Sequence, residues 1–437
     1  MPARLPLLLA ALLLPLHAWP MDLLQIYQQA AEKDPQVNQA KAAYEAALES
    51  RPQSLANFLP DINLTADTTS NDQDRRFEVG QFGGQEQFNS HGYTLQLTQA
   101  LFNREAIVQR RQADAVVGEA EANLHNSEQG LIVRVAERYF DVLAAEDNQT
   151  FAEAEKEAIA RQLEQTNQRF EVGLIPITDV QEAQASFDLA VADEIEASNN
   201  LLNARERLRE VTGEYHASLT PLQAETPLLS PEPDNIERWT EVALQENLAV
   251  QSALNASEVA RHAVDRARAG HYPRLDIVAS QAHNVSGGGA LGGSTIDSTA
   301  LSLQLNVPIY QGGLINSRTR EAQAGLDQSI ERLEQERRAA IRQVRESYLG
   351  VLASISRVKA FKQAEKSSQS ALEANEVGLE VGTRTTVDVL NARRTVFRAK
   401  RDLARARYDY IVNTLRLKQA AGILANNDIG AINQWLD

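Results

Sequence analysis

Two stretches of this chain are near copies of each other: Arg169–Ala183 reads RFEVGLIPITDVQEA, and Glu376–Ala392 reads EVGLEVGTRTTVDVLNA. Aligning Gly173 with Gly382 sets an offset of 209 residues, and the same offset pairs Val172 with Val381, Asp179 with Asp388, Val180 with Val389 and Gly213 with Gly422 without a gap. A chain of 437 residues has room for two or three ordinary domains. A repeat of nearly half that length instead predicts one extended architecture built twice. Each copy reads as a turn between two long helices.

The flanking sequence supports those helices. Phe102–Val172 and Leu314–Val381 contain no proline and few glycines; a continuous helix of about seventy residues is on the order of 100 Å long. The returning helices carry a heptad seam. In the first, Val180, Phe187, Glu194, Leu201 and Leu208 recur every seven residues, each followed three positions later by Ala183, Ala190, Ala197, Ala204 and Val211. The second has Val389, Val396, Leu403, Tyr410 and Leu417, with Ala392, Ala399, Ala406, Asn413 and Ala420. Large residues in one row and mostly small ones in the other let neighbouring helices approach closely, as in coiled coils. Composition agrees, since aromatics make up only 5% of the chain while Ala, Gln, Glu, Arg and Leu abound.

Before each long helix lies a region of period two. Ile62, Leu64 and Ala66 alternate with polar residues, as do Tyr93, Leu95 and Leu97; the second half repeats this with Leu275, Ile277 and Ala279 and with Leu301, Leu303, Leu305, Val307 and Ile309. Such alternation predicts strands with one apolar and one polar face. Outer-membrane strands need about 9 to 11 residues with lipid-facing apolar side chains, and all four segments fit. The polar loop Asn71–Asn89 and the glycine-rich loop Ser286–Asp297 suit exposure at a cell surface. The alternative is a pair of half-buried hairpins packed on the helices of a soluble domain.

The N-terminus favours the membrane. Met1–Ala18 has Arg4, an apolar run from Leu5 to Leu16 and then His17-Ala18, the pattern of a secretory signal peptide. No other apolar run reaches the ~20 residues of a membrane-spanning helix, so membrane insertion requires a closed β-barrel. Four strands cannot close one, because the smallest transmembrane barrels use about eight. Two copies of the chain supply eight strands, three twelve and four sixteen. The expected order is a signal peptide over 1–18, a first repeat over 19–213, a Pro-rich linker or belt over 214–235, a second repeat over 236–422 and a tail over 423–437. Strands are expected about 60–101 and 273–310, and tips about 172–178 and 381–386.

Several function classes have no support in these residues. A formal charge of -16 argues against a nucleic-acid partner. The seven histidines include no pair at metal-binding helical spacing, and the chain has no cysteine, hence no disulfide and no lipid on an N-terminal cysteine. GGGALG at Gly287–Gly292 matches a dinucleotide fingerprint formally, but it leads into a strand where a phosphate site requires a helix. No P-loop or nucleophile elbow is present. The expectation is a protein without cofactor or enzymatic activity, whose transport energy comes from a partner.

The segments LPDINLTAD, LQLTQALF, KEAIARQLEQTNQRFEVGLIPITDVQEA, LNVPIYQGGLINS and VGTRTTVDVLNARR resemble the TolC family of outer-membrane exit ducts, over nearly everything after the signal peptide. The resemblance implies an α+β membrane protein: a homotrimeric twelve-stranded outer-membrane β-barrel, four strands per chain, continued into a long periplasmic α-helical barrel. It implies drug efflux or type I protein secretion, with a periplasmic adaptor and an inner-membrane transporter of the RND, ABC or MFS type as partners. It also implies a gate. Arg384 would link to Thr178 and Asp179 of a neighbouring chain, Gln162 would lie near Glu376, and Asp388 would form a ring of three carboxylates. Leu379 stands where the family pattern has a tyrosine bonded to the partner aspartate, and Asn391 where it has a second constriction aspartate. The closed state is therefore expected to hold fewer polar links and one acidic ring. The tips, Val172, Gly173, Leu174, Val381, Gly382 and Thr383, resemble the family's adaptor-docking surface. The competing reading is a periplasmic coiled-coil scaffold or adaptor. For Asp179 and Asp388 the plainer role is that of a carboxylate at the positive end of a helix dipole.

Overall fold

The repeat is visible in the order of elements. The computed structural model describes residues 20–76, 84–289 and 292–437; the expected signal peptide over 1–18, residues 77–83 of the expected polar loop and residues 290–291 of the expected glycine-rich loop lie outside them. The helices are α1 (Leu23–Lys33), α2 (Pro35–Leu48), α3 (Ser50–Ala56), α4 (Arg104–Glu171), α5 (Ile177–Thr212), α6 (Ile236–Glu246), α7 (Leu248–Ala269), α8 (Leu314–Glu380), α9 (Thr386–Ala420) and α10 (Asn426–Asn433). The strands are β1 (Asp61–Arg75), β2 (Gly84–Asn103), β3 (Arg274–Ser286) and β4 (Ser294–Asn306). None of the helices described is long and apolar enough to cross a membrane. The chain divides into two compact units, one of residues 39–125 and 248–339, the other of residues 20–38, 126–247 and 340–437.

The first unit carries the sheet. Its strands run in the order β1-β2-β3-β4, every neighbour antiparallel, so the two hairpins join through β2 and β3 into one surface. Register puts the apolar residues in common rows: Ile62 faces Leu97, Leu97 faces Ala279, and Ala279 faces Leu301; Ile277 faces Leu303 and Leu275 faces Leu305. Because a one-residue slip would move a whole set to the other face, this register is what concentrates the leucines on one side. They are not covered. Ile62 is 64% exposed and Leu301 74%, so the half-buried hairpins of a soluble domain are not what forms. The opposite face is polar, with Asn63 against Gln96 and Asp276 against Gln304.

Strand ends differ from the alternation pattern. β4 stops at Asn306, leaving Val307 and Ile309 outside it, because Pro308 has no N–H for the ladder. In the other direction β1 and β2 pair as far as Arg75 and Gly84, well into the stretch expected as loop. Polar residues pair through their backbone whatever their side chains. The glycines of GGGALG connect β3 to β4 and open no helix.

The second unit holds the large core. Tyr139 and Phe140 of α4, Leu208 of α5, and Tyr410, Ile411, Leu415 and Leu417 of α9 are fully enclosed together with Leu23 and Ile26 of α1 and Ile429 of α10. Full burial of side chains of this size is worth roughly 1.5–3 kcal/mol each. The Pro-rich stretch is bound to this core. The Tyr139 hydroxyl donates to the Thr220 carbonyl at 2.7 Å, and the Tyr410 hydroxyl accepts from the Leu229 amide at 2.8 Å. Asn235 then caps α6 through the amides of Glu237 and Arg238. The predicted heptad residues Ala183, Ala190, Ala197, Leu201, Ala204, Leu208 and Val211 are all buried along α5. Glu194, a charge in that seam, is neutralised by Lys156 of α4 at 2.6 Å.

Candidate functional site

The two hairpin tips are built alike. α4 ends at Glu171 and α5 begins at Ile177, while α8 ends at Glu380 and α9 begins at Thr386. Gly173 and Gly382 adopt positive φ, 72° and 76°, the left-handed conformation that closes a helix without a Cβ penalty. In each turn the next residue's amide reaches back to the helix, Leu174 to the Arg169 carbonyl at 2.9 Å and Thr383 to the Gly378 carbonyl at 2.8 Å. The docking residues sit on these turns with apolar side chains in the open: Val172 is 70% exposed, Leu174 72% and Val381 68%. Thr383 is exposed as well, its hydroxyl donating to the Gly378 carbonyl.

The helix starts differ. At the second tip Thr385 forms a capping box with Asp388: the Asp388 amide donates to the Thr385 hydroxyl oxygen at 3.2 Å, and the Thr385 amide donates to the Asp388 carboxylate at 2.9 Å. Those bonds from Thr385, with the nearby Arg384 charge, hold the Asp388 carboxyl below the usual carboxylate range. The cap is therefore complete above that range and is lost as pH falls through the depressed value. At the first tip the equivalent position is Pro176, which has no N–H to give, and α5 has no side-chain cap. Asp179, in the same third position, is not drawn into a box. Thr178 beside it is exposed.

Arg384 is exposed at the end of its turn and is positioned by Gly378. A Cβ on Gly378 would fall 2.5 Å from Cγ of Arg384 and 3.2 Å from its Cβ, so the arginine stem lies over a space only glycine leaves open. The first copy has Arg169 at that position. Leu379 packs inward, against the cluster of Leu372, Val389 and Val396 that joins α8 to α9, with Ala392 beside it. Its contribution is to the hairpin's own core. Asn391 is exposed one turn after Asp388, on the same side of α9.

Gln162 is buried on α4. The carboxylate of Glu376 is held by Arg393, whose Nη2 lies 2.6 Å from Oε1. Sequence reading singled out neither Arg393 nor Gly378. A glycine directly before Leu-Glu-Val-Gly inside a helix was the available signal for the second; nothing local marked the first.

This architecture, a four-stranded sheet with open leucine rows and two long helical hairpins with matched tips, can be set beside known proteins. The outer membrane efflux protein family model matches residues 26–214 and 239–423, one match per repeat. The outer membrane protein TolC of Vibrio cholerae serotype O1 is 39% identical over 437 residues, covering 99% of this chain and 98% of the relative. The chain belongs to the outer membrane efflux protein family. The alkaline protease secretion protein AprF of Pseudomonas aeruginosa is 31% identical over 96% of this chain and 88% of its own length. Among solved structures, the CmeC outer membrane channel of Campylobacter jejuni superposes with a TM-score of 0.80 over 95% of this chain and 90% of its own, at 15% identity, a likeness of fold.

Family membership decides the coarse questions. This TolC-family protein is an outer-membrane exit duct of the efflux and secretion class, a passive conduit rather than an enzyme, and it works with adaptor and transporter partners. The reading as a soluble periplasmic scaffold is set aside by the family and by the uncovered leucine rows of the sheet.

Proposed function

We propose that three chains assemble into one twelve-stranded barrel and that the duct below it is gated at the tips. The observation that carries this is the sheet itself: β1 and β4 are open edges and the leucine face is uncovered. An open, apolar sheet of four strands is stable in a membrane only when neighbouring copies pair its edges. Three copies give twelve strands, the number the family resemblance implies. The two Pro-free hairpins of each chain then converge below.

In the gate, Arg384 of one chain meets Thr178 and Asp179 of the next. Asp179 is suited to that role because Pro176 leaves its carboxylate out of a cap. Three copies of Asp388 ring the constriction with Asn391 as a neutral neighbour, giving one acidic ring. Val172, Gly173, Leu174, Val381, Gly382 and Thr383 form the docking surface for the periplasmic adaptor. The inner-membrane partner is an RND, ABC or MFS transporter, and the cargo is drugs, detergents or secreted polypeptides.

Fractionation with unboiled gel analysis tests the assembly. The protein is expected in the outer membrane as a band at three times the monomer mass that collapses on heating. Recovery as a soluble monomer, or crosslinked dimers or tetramers as the largest stable species, would overturn it.

A further inference from the structure

Besides the large core, a small apolar cluster nearer the tips attaches the second hairpin to the first. Ile159 of α4, Ala190 of α5 and Leu390 of α9 form a small apolar cluster with Phe187 against it, and this cluster joins the two hairpins. A separate cluster, Leu372, Val389 and Val396, holds α8 to α9 within the second hairpin. Arg393 follows Leu390 by three residues and Val389 by four, so it projects where the two clusters meet. Its side chain is only 17% exposed. One guanidinium nitrogen, Nη1, donates to the carbonyl of Ala158 on α4 at 2.8 Å; the other, Nη2, donates to the Glu376 carboxylate on α8 at 2.6 Å.

A single planar fork therefore ties three helices together. The Ala158 carbonyl lies within α4 and also serves the helix ladder, so Arg393 takes its second lone pair. Glu376 neutralises the buried charge, and both bonds are charge-assisted. Lysine could not reproduce this, because its ammonium is a point charge without the two-way geometry. Among the described residues the bridge occurs once. At the same offset the first copy has Gln184 in place of Arg393 and Asn167 in place of Glu376, and Gln184 donates along its own helix, to Asp188.

We propose that Arg393 is an intrachain clasp that fixes the second hairpin against the first and so sets the closed position of the tips before any neighbouring chain is engaged. It is a positioning residue, and its effect on conduction rests on the gate reading above. The clasp acts on the α4–α9 separation and can be measured without conduction. The chain has no cysteine, so spin labels at Glu157→Cys and Arg398→Cys, in assembled full-length protein where doubly labelled chains are diluted with an excess of unlabelled ones, report that separation within one chain.

Arg393→Ala is expected to lengthen and broaden the α4–α9 distance distribution and to raise single-channel conductance several-fold. Glu376→Gln keeps the Ala158 bond and is expected to fall between. Arg393→Lys should behave like the alanine variant in distance, and it serves if the alanine variant fails to assemble. An assembled Arg393→Ala or Arg393→Lys with native distances overturns the clasp. If Arg384→Ala raises conductance while the Arg393 variants change neither readout, the gate stands and the clasp falls. If Arg384→Ala has no effect on conductance, the gate reading fails, and the label distances alone decide for or against the clasp.

Discussion

The two tips share a backbone and differ in what hangs from it. Gly173 and Gly382 close the same turn at the same offset, but the first tip starts its return helix with Pro176 and the second with the Thr385–Asp388 box. Gly378 makes room for the Arg384 stem only in the second, and only the second hairpin carries the Glu376–Arg393 bridge. The residues that form the turn are repeated, as is the aspartate in the first turn of each return helix, whereas Glu376, Arg384 and Arg393 are not. A duplicated hairpin therefore supplies the geometry twice, and departures from the repeat separate a plain apolar tip from one furnished for polar contacts.

The largest effect is expected where the two tips meet across chains. Arg384→Ala or Asp179→Ala removes the proposed closing link and should raise single-channel conductance and antibiotic uptake several-fold. Exchange of the two charges, Arg384→Asp with Asp179→Arg, should recover much of the closure. If neither single variant alters conductance or uptake, the contrast between the tips has no bearing on closure.

Much of this was legible in advance. The heptad rows at Ala183, Ala190, Ala197 and Leu201 are the buried face of α5, and the alternating leucines share one face of the sheet, because both periodicities are local and direct which side chains share a face. What local pattern could not give is pairing at a distance. The union of the hairpins through β2 and β3 joins residues nearly two hundred positions apart, and Arg393 meets a carbonyl 235 residues away. In a helix so rich in arginine, nothing in spacing distinguishes the buried one from Arg394 or Arg398 beside it. Leu379 shows the same limit. As a departure from the family pattern it implies a weaker closed state, yet the structure gives it a place in the hairpin core and puts a polar tie elsewhere, at Arg393.

A smaller effect belongs to the second tip alone. With Asn391 neutral, Asp388 is the sole acidic side chain of that pair on its side of α9, and three copies converge in the proposed assembly. Multivalent cations in a planar bilayer should block current through this ring, and Asp388→Ala should weaken the apparent block on the order of tenfold, since a ring of like charges concentrates counter-ions. Asn391→Asp should strengthen it. Block that survives Asp388→Ala unchanged would remove the single-ring account.

The smallest effect tests the helix starts directly. Pro176→Thr gives the first tip the same Thr-x-x-Asp spacing as the second and restores the N–H that proline lacks. A capping box there stabilises the start of α5 by about 1 kcal/mol, which a modest rise in melting temperature would report. The same box draws the Asp179 carboxylate toward its own helix and away from Arg384, so conductance should rise by less than in Arg384→Ala. The two readouts must move together, because one carboxylate cannot fully serve the cap and the link at once. A more stable protein with unchanged conductance would mean that Asp179 takes no part in closure, and that Pro176 does nothing more than start a helix.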